Sequence, residues 1–340
     1  MSKRQWLAVA VAGLALALVC GCAKKAAEEQ AALQGAAKKP TKGKVYRFAL
    51  VPKMFSNPVF QIAHSGALKF AEEHPDVEVI FQAPEEADIA KQVAIIDNLI
   101  QARVDGISVS CNEPTALTEA INRAVDAGIP TMCFDSDAPE SKRFTYWGTA
   151  NRKSGRRLAK LMIEALGGGQ PSGKVAIITG VPGAPNLEER IEGVKEELSK
   201  YPGIELLNPI PCYDKIDEGV RVVKDTIRAY PDLVGIIMVG GWPLFAECPG
   251  PFEGLEPGKI KCVSFDAIEP EQEYVRRGYV YALLAQSCYD WGYQSMKLLY
   301  EKVVEGKEVK EFYEDPLPTI TKDNVEEWAK KWASWLPQGL

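Results

Sequence analysis

Short, largely apolar runs alternate with amphipathic stretches along most of the chain from residue 45 onward. The first run, at 46–51, ends at Pro52, as is typical of a buried parallel strand. Asn57 and Pro58 then favour the start of a helix, because asparagine caps free backbone amides and proline suits the first helical position. The next helical stretch carries its apolar residues on one face, at Ile89, Val93, Ile96 and Ile100.

The same alternation continues to about residue 265 and restarts near the middle of the chain. Strands are predicted at residues 46–51, 77–81, 106–109, 129–134, 175–179, 204–207, 234–239 and 260–265. Helices are predicted from Asn57, across 89–100, 115–127, 153–166, 187–200 and 218–229, and near Leu244. Alternating elements of this kind form parallel sheets that helices cover on both faces. The repeat of the pattern indicates two similar doubly wound α/β lobes rather than one long sheet.

The residues that follow the predicted strands are candidates for a functional site, because ligands of open α/β sheets bind beyond the carboxyl ends of the strands. These positions are rich in carboxylates, amides and aromatic rings. They fall at residues 53–57, 110–113, 135–137, 180–186, 211–214, 240–242, 266 and 286. They contain no histidine and no nucleophile paired with a base, so no catalytic residue is predicted. The site is expected to bind a ligand without reacting with it.

The N-terminus has the pattern of an export signal. A short basic start precedes an apolar run at 6–19, which is shorter than the roughly 20 residues that span a membrane. A charged start and a run of this length are typical of a secretory signal. The small residue before Cys22 matches a bacterial lipoprotein signal, in which residues 1–21 are removed and Cys22 is lipidated. The Ala- and Lys-rich segment 22–44 is predicted to be a flexible tether.

Composition and charge argue against several classes of protein. The formal net charge of −6 and the lack of basic runs argue against nucleic-acid binding. Two histidines and no Cys-x-x-C spacing argue against a zinc site. The glycine run 167–169 lacks the Lys-Ser/Thr ending of a phosphate-binding loop, and no metal or cofactor is predicted. Six cysteines after the signal are either buried thiols or form one or two disulfides: Cys111, Cys133, Cys212, Cys248, Cys262 and Cys288.

Several motifs along the chain carry a resemblance to a known family. They are VPKMFSNPVF at 51–60, QVAIIDNLIQARVDGISVS at 92–110, AGIPTMCFDSDAP at 127–139, NLEERIEG at 186–193, VSFDA at 263–267 and LLAQ at 283–286. In this order and spacing they resemble the type I periplasmic binding proteins of ABC sugar importers, the group that includes ribose-, rhamnose- and autoinducer-binding proteins. The resemblance covers the chain from residue 46 to about 321.

The resemblance implies two lobes joined by three crossings, with a sugar-sized ligand enclosed when the lobes close. One lobe would hold residues 45–148 and 287–314, and the other would hold 149–286 and 315–340. Such a protein would be a monomer that captures a small carbohydrate and delivers it to an ABC permease in the inner membrane. Its lipid anchor would hold it on the periplasmic or cell-surface face of a bacterial membrane. The alternative is a sensory lipoprotein that presents a bound sugar or autoinducer-like signal to a membrane receptor.

A sugar site needs acceptors for hydroxyl groups and aromatic rings for the weakly polar sugar faces. Asp135 and Asp266 follow strands of the two lobes and are predicted to accept sugar hydroxyls. Gln286 falls where the family carries an amide beside the hinge. Lys53 lies in a motif similar to that of the rhamnose and autoinducer branch. Asp137 either shares the role of Asp135 or braces the loop.

Several candidate ligand-binding residues have two possible roles. Asn57 either caps its helix or reaches the ligand. Phe60 either packs in the core or stacks on a sugar, and Trp242 either stacks on a sugar or packs its own loop. Tyr213 is a further stacking candidate.

The chain departs from the ribose-binding pattern at several ligand positions. Glu188 and Ser136 stand where ribose-like sites carry arginine, and Gly241-Trp242 replaces an Asn-Asp pair. Asn186-Leu187 aligns with the Asp-Gln pair that the rhamnose and autoinducer branch carries in its second lobe. The pocket is therefore predicted to prefer a ligand other than ribose, with Asn186 and Glu188 among its candidate contacts.

Arg190 lies one helical turn after Asn186 and is either structural or ligand-facing. Its predicted ion-pair partner is Glu188 or Asp214.

A late helix carries three tryptophans on one side, at Trp328, Trp332 and Trp335. This stripe is predicted to pack against the body of the protein, with a partner-facing or membrane-facing role as the alternative.

Overall fold

The computed structural model describes residues 43–336. Its strands are β1 (Tyr46–Val51), β2 (Val77–Phe81), β3 (Gly106–Val109), β4 (Thr131–Phe134), β5 (Tyr146–Gly148), β6 (Gly173–Thr179), β7 (Ile204–Leu206), β8 (Ile210–Pro211), β9 (Leu233–Met238), β10 (Lys261–Phe265), β11 (Ala282–Leu284), β12 (Phe312–Glu314) and β13 (Thr319–Ile320). Its helices are α1 (Pro58–Glu73), α2 (Ile89–Gln101), α3 (Pro114–Asp126), α4 (Asn151–Ala165), α5 (Pro185–Leu198), α6 (Ile216–Ala229), α7 (Glu269–Arg276), α8 (Cys288–Val303) and α9 (Val325–Trp335).

The strands form two separate sheets, which confirms the predicted pair of α/β lobes. The first sheet has the order β12-β5-β4-β3-β1-β2 and is parallel throughout. The second has the order β13-β11-β10-β9-β6-β7, with β8 also paired to β6, and its edge strand β13 is antiparallel to β11. Buried apolar side chains cover both faces of each sheet, as parallel sheets require.

The export signal, the lipidation at Cys22 and nearly all of the predicted tether lie outside the described residues. Within residues 43–336, no helix is both long and apolar enough to cross a membrane.

Local sequence signals account for where the first helices begin. The Asn57 side chain accepts a hydrogen bond from the Val59 amide, and Pro58 occupies the first turn of α1. Asp88 caps α2 and Glu113 caps α3 in the same way. These caps satisfy amides that have no partner inside the helix.

In each lobe, a glycine in one helix allows a second helix to pack closely against it. A Cβ on Gly292 of α8 would lie 1.7 Å from the Ala63 carbonyl oxygen of α1, and a Cβ on Gly155 of α4 would lie 2.0 Å from the Arg190 carbonyl oxygen of α5. A side chain at either position would therefore push the helices apart. This close packing sets the position of Arg190 relative to the start of α4.

Three segments cross between the sheets, after β5, after β11 and after β12, and Asp315 joins them. Its amide donates to the Gly148 carbonyl (2.7 Å) in the first crossing. Its Oδ2 accepts from the Ser287 amide (3.4 Å) in the second crossing and from Trp291 Nε1 (3.3 Å). The crossings therefore lie side by side as one hinge region.

The structure differs from the sequence prediction around residue 244. The helix predicted near Leu244 is a short 3₁₀ helix, Trp242–Leu244, rather than an α-helix, and Gly250–Phe252 forms another. Prolines at 243, 249 and 251 supply no amide hydrogen for a continuous α-helical ladder. The short strands β5, β8, β11, β12 and β13 are not part of the predicted pattern, since two or three residues show no periodicity.

All six cysteines within residues 43–336 are free, and all but Cys248 are buried. Cys111 and Cys133 lie closest, with their Sγ atoms 3.9 Å apart. The structure therefore agrees with the prediction of free thiols and not with that of disulfides.

Candidate functional site

Three aspartates lie directly beyond strands at the facing edges of the two sheets. Asp135 follows β4, Asp214 lies shortly after β8 and Asp266 follows β10. Their φ angles are 55°, 59° and 85°. This left-handed region is uncommon for residues with a side chain, and such strained positions cluster at ligand sites. The turned backbone thus marks the edge where both sheets present carboxylates.

Asp135 is the centre of the first-lobe cluster and is 6% exposed. Its Oδ2 accepts from Ser110 Oγ (2.6 Å) and lies 3.4 Å from Lys53 Nζ. The Tyr146 hydroxyl donates to the Asp135 carbonyl (2.7 Å). Burial raises the pKa of Tyr146 well above its usual value, so this phenol stays protonated and remains a donor. These contacts hold the carboxylate at the end of β4.

Asp266 is the centre of the second-lobe cluster and is 8% exposed. Its Oδ2 accepts from the Gly241 amide (3.0 Å). With the Gln286 amide oriented to satisfy its neighbours, its nitrogen donates to Asp266 Oδ1 (2.8 Å) and its oxygen accepts from Thr149 Oγ1 (2.9 Å). Burial raises the pKa of Asp266, while the charge of Arg190 and the Gly241 amide oppose that rise. The predicted hinge-side amide therefore contacts the predicted second-lobe carboxylate.

Arg190 is fully enclosed beside this cluster. Its Nε donates to Asn151 Oδ1 (3.0 Å), one Nη donates to the Val239 carbonyl (2.8 Å), and the other lies 3.1 Å from the Gln286 oxygen. Its guanidinium also lies 3.9 Å from the centroid of the Phe265 ring. Burial lowers the pKa of Arg190, and the charge of Asp266 acts in the opposite direction. Arg190 thus supports the Asp266–Gln286 pair.

The prediction that Arg190 forms an ion pair with Glu188 or Asp214 is wrong. Glu188 turns back over the start of α5 and accepts from the Gly183 amide (2.9 Å). Asp214 accepts from the Val181 amide (3.2 Å). The Arg190 side chain points the other way, into the protein.

Asp214 lies in the predicted strand-end segment 211–214, but sequence reasoning singled it out only as a partner of Arg190. Burial raises its pKa, and the charge of Lys53 from the other lobe lowers it. A Cβ at Gly180 would lie 1.8 Å from Asp214 Oδ1 and 2.7 Å from the Trp242 ring, so this glycine leaves room for both side chains. The strand before Asp214 is two residues long, and no sequence pattern identifies its end.

Trp242 is half-buried and lies across the backbone of Gly180 and Gly240. It contacts the apolar core on both sides of the second sheet. Loop packing therefore accounts for part of this ring, which also lies beside Asp214.

Several predicted site residues have structural partners within the protein. Phe60 is buried in the first-lobe core, with its ring centroid 6.1 Å from that of Trp291. Asp137 accepts from two nitrogens of Arg143, one at 2.7 Å, which favours the loop-bracing role. Asn57 caps α1.

Tyr213 and Asn186 are more accessible to solvent than the buried aspartates. Tyr213 is 52% exposed. Asn186 is one of the residues that line an open pocket of about 390 Å³ between the lobes, which neither Asp135 nor Asp266 lines. Its other lining residues include Ser136 and Tyr146 of the first sheet's lobe and Asn151 and Pro185 of the second's.

Comparison with known proteins places this arrangement in a family. The model of the periplasmic binding protein domain matches residues 48–308. The ribose import binding protein of Bacillus subtilis is 26% identical over 193 residues, a match that spans 57% of this chain and 61% of that protein. The ribose import binding protein of Escherichia coli is 23% identical over 281 residues, or 81% of this chain and 90% of that protein.

Solved structures give the same result. An ABC transporter solute binding protein from Burkholderia graminis, in complex with D-arabinose, is 33% identical with a TM-score of 0.75, over 84% of this chain and 98% of that one. A glucose-galactose binding protein from Geobacillus stearothermophilus is 25% identical with a TM-score of 0.75, over 83% of this chain and 99% of that one. The match over most of the chain, in sequence and in structure, shows that this protein belongs to the periplasmic binding protein family.

Proposed function

We propose that this protein is the substrate-binding component of an ABC importer and captures a small carbohydrate between its lobes. The observation that carries the proposal is the pair of buried carboxylates, Asp135 and Asp266, one at the strand ends of each sheet. The relatives named for ribose and the neighbour bound to D-arabinose support a sugar as the ligand. The lipid-anchored location outside the cytoplasm and the permease partner belong to the same proposal.

Hydroxyl recognition explains why the carboxylates are held so firmly. Each Asp already accepts hydrogen bonds from protein donors, and a carboxylate has room for about four. The remaining lone pairs can accept sugar hydroxyls without rearrangement of the side chain. A preorganised acceptor binds more tightly because less conformational freedom is lost on binding.

Closure of the lobes would complete the site. Lys53 and Asp135 belong to the first sheet's edge, and Asp214, Trp242 and Asp266 belong to the second's. A ligand that contacts both edges favours the closed state by its differential affinity for that state. Asp214 is added here to the proposed ligand contacts as an acceptor, and Trp242 is kept among them as an apolar surface.

The test is a binding series with the purified full chain. A thermal-shift screen with D-arabinose, D-ribose, D-xylose, xylitol, D-glucose and D-galactose selects a ligand, and calorimetry gives its Kd. A ligand at 100 times its Kd stabilises the fold by about 2.7 kcal/mol. Asp135→Asn and Asp266→Asn are each expected to weaken binding about 10- to 100-fold, since each removes charge-assisted hydrogen bonds.

Asp126→Asn is the matched control, because Asp126 is exposed and pairs with Lys142 at the surface. It should bind as wild type does. Wild-type affinity in both site variants would show that the ligand binds elsewhere. Accumulation of labelled sugar in cells that lack the gene for this chain would contradict the importer role.

A further inference from the structure

The loop that carries Asp266 has two adjacent residues in a strained conformation. Asp266 and Ala267 have φ angles of 85° and 65°. Neither is glycine, and each such residue persists only where its surroundings hold it in place. Both are buried, at 8% and 0% exposure, so solvent does not supply the needed contacts.

The Ala267 carbonyl is held by two buried side-chain donors. Trp328 Nε1 donates to it at 2.8 Å, and Gln272 Nε2 donates at 3.2 Å. Gln272 lies on α7, which begins directly after this loop. Trp328 lies on α9, far along the chain, and is 5% exposed. The shorter of the two hydrogen bonds thus comes from the C-terminal helix.

Helix α9 is itself fixed at both ends. Glu326 pairs with Arg276 of α7 at 2.7 Å. The Trp335 ring stacks on Tyr289 of α8, with centroids 5.4 Å apart. Since α8 packs on the first sheet and α7 on the second lobe, α9 contacts both sides of the hinge. Trp328 therefore connects the Asp266 loop to a rigid element outside its own sheet.

We propose that Trp328 is a positioning residue for ligand binding, which holds the Ala267 carbonyl and thereby keeps the Asp266 carboxylate aimed into the cleft. The inference rests on the proposed function for the role of Asp266. Because the Gly241 amide donates to Asp266 Oδ2, hydrogen exchange at this amide measures whether the Asp266 carboxylate stays in place. Loss of the indole donor leaves Gln272 as the side-chain donor to the Ala267 carbonyl, and the hydrogen bond from the Gly241 amide to Asp266 then breaks more often.

The experiment compares Trp328→Phe with Trp332→Phe in the full chain. Both variants remove an indole N–H from a ring on the same helix that is about 95% buried. The Trp332 ring packs against that of Trp335, with ring centroids 5.9 Å apart. Hydrogen exchange is measured without ligand for peptides that cover residues 239–242 and 264–268. Exchange there should be at least fivefold faster in Trp328→Phe, with no such local change in Trp332→Phe, even where both variants lower Tm equally.

A double-mutant cycle tests the route through Asp266. With D-arabinose or the best sugar of the screen, Trp328→Phe should weaken binding severalfold in the wild-type background and have little further effect in Asp266→Asn. Unchanged local exchange in folded Trp328→Phe, or equal losses of affinity in both backgrounds, would overturn the proposal. Faster local exchange in a chain that binds none of the sugars would support the positioning role and contradict the proposed function instead.

Discussion

Asp315 lies in the hinge region, and its burial changes the pH at which its carboxyl ionises. Its carboxyl is almost fully buried, and burial raises its pKa to about 7, despite hydrogen bonds from Ser287 and Trp291 that oppose the rise. The unfolded chain has a pKa near the ordinary value of about 3.9. Between these two values the folded protein retains a proton that the unfolded chain releases. Folding stability therefore falls as the pH rises through this window.

Asp315→Asn should make the free energy of unfolding less dependent on pH. The wild type is expected to lose up to roughly 1.4 kcal/mol per pH unit from this group between about pH 4 and pH 7, and none above that range. The variant lacks this loss, because an amide does not ionise. Urea unfolding of both proteins from pH 4.5 to 8.5 gives the difference. Parallel pH profiles would mean that Asp315 is ionised throughout.

At the scale of elements, each lobe has two helices that pack closely at a glycine, and only one of these two contacts involves a residue beside the site. Gly292 lets α8 lie against Ala63 of α1, and neither helix carries one of the aspartates at the strand ends. Gly155 lets α4 lie against the backbone of Arg190, whose side chain supports Gln286 and Asp266. The same packing device thus serves stability in one lobe, and stability together with the site in the other.

Alanine at these two positions should separate the two roles. Gly155→Ala and Gly292→Ala are each expected to destabilise the fold by about 1–3 kcal/mol through overpacking. Only Gly155→Ala should also weaken sugar binding, because the displaced backbone carries Arg190. Chemical unfolding and calorimetry on both variants measure the two effects. Equal affinities for the two variants would show that Arg190 does not depend on this contact.

At the scale of the whole molecule, charges on the two lobes face each other across the cleft. Lys53 of the first lobe lies 3.4 Å from Asp135 and also lowers the pKa of Asp214 in the second lobe. Without Lys53, these two carboxylates would repel each other. If the lobes open and close as proposed, this lysine is expected to favour the closed state.

Lys53→Met should shift the ligand-free protein toward the open state and weaken sugar binding about tenfold. Small-angle scattering measures the first effect as a larger radius of gyration, and calorimetry measures the second. Lys142→Met is the control, since Lys142 is exposed and pairs with Asp126 of the same lobe at the surface. A variant at Lys53 that scatters and binds as wild type does would remove this lysine from the closure mechanism.

The sequence predicts the elements well where local signals are strong. Asn57 with Pro58 marks the start of α1, and the alternating pattern gives two lobes of parallel sheet, because hydrophobic periodicity and capping are properties of neighbouring residues. Carboxylates at the ends of long strands, such as Asp135 and Asp266, follow from the same pattern. The two-residue strands β8 and β13 and the 3₁₀ geometry of Trp242–Leu244 do not, because so few residues carry no clear period.

The residues alone thus determine the fold class and the edge where a ligand would bind. Tertiary structure decides which polar side chains remain there, since hydrogen-bond partners come from distant segments. Arg143 binds Asp137, which leaves Asp135 as the carboxylate beside Lys53. Trp328 reaches back from α9 to Ala267, a contact between residues 61 positions apart. Such partnerships depend on chain packing in three dimensions, and no local pattern encodes them.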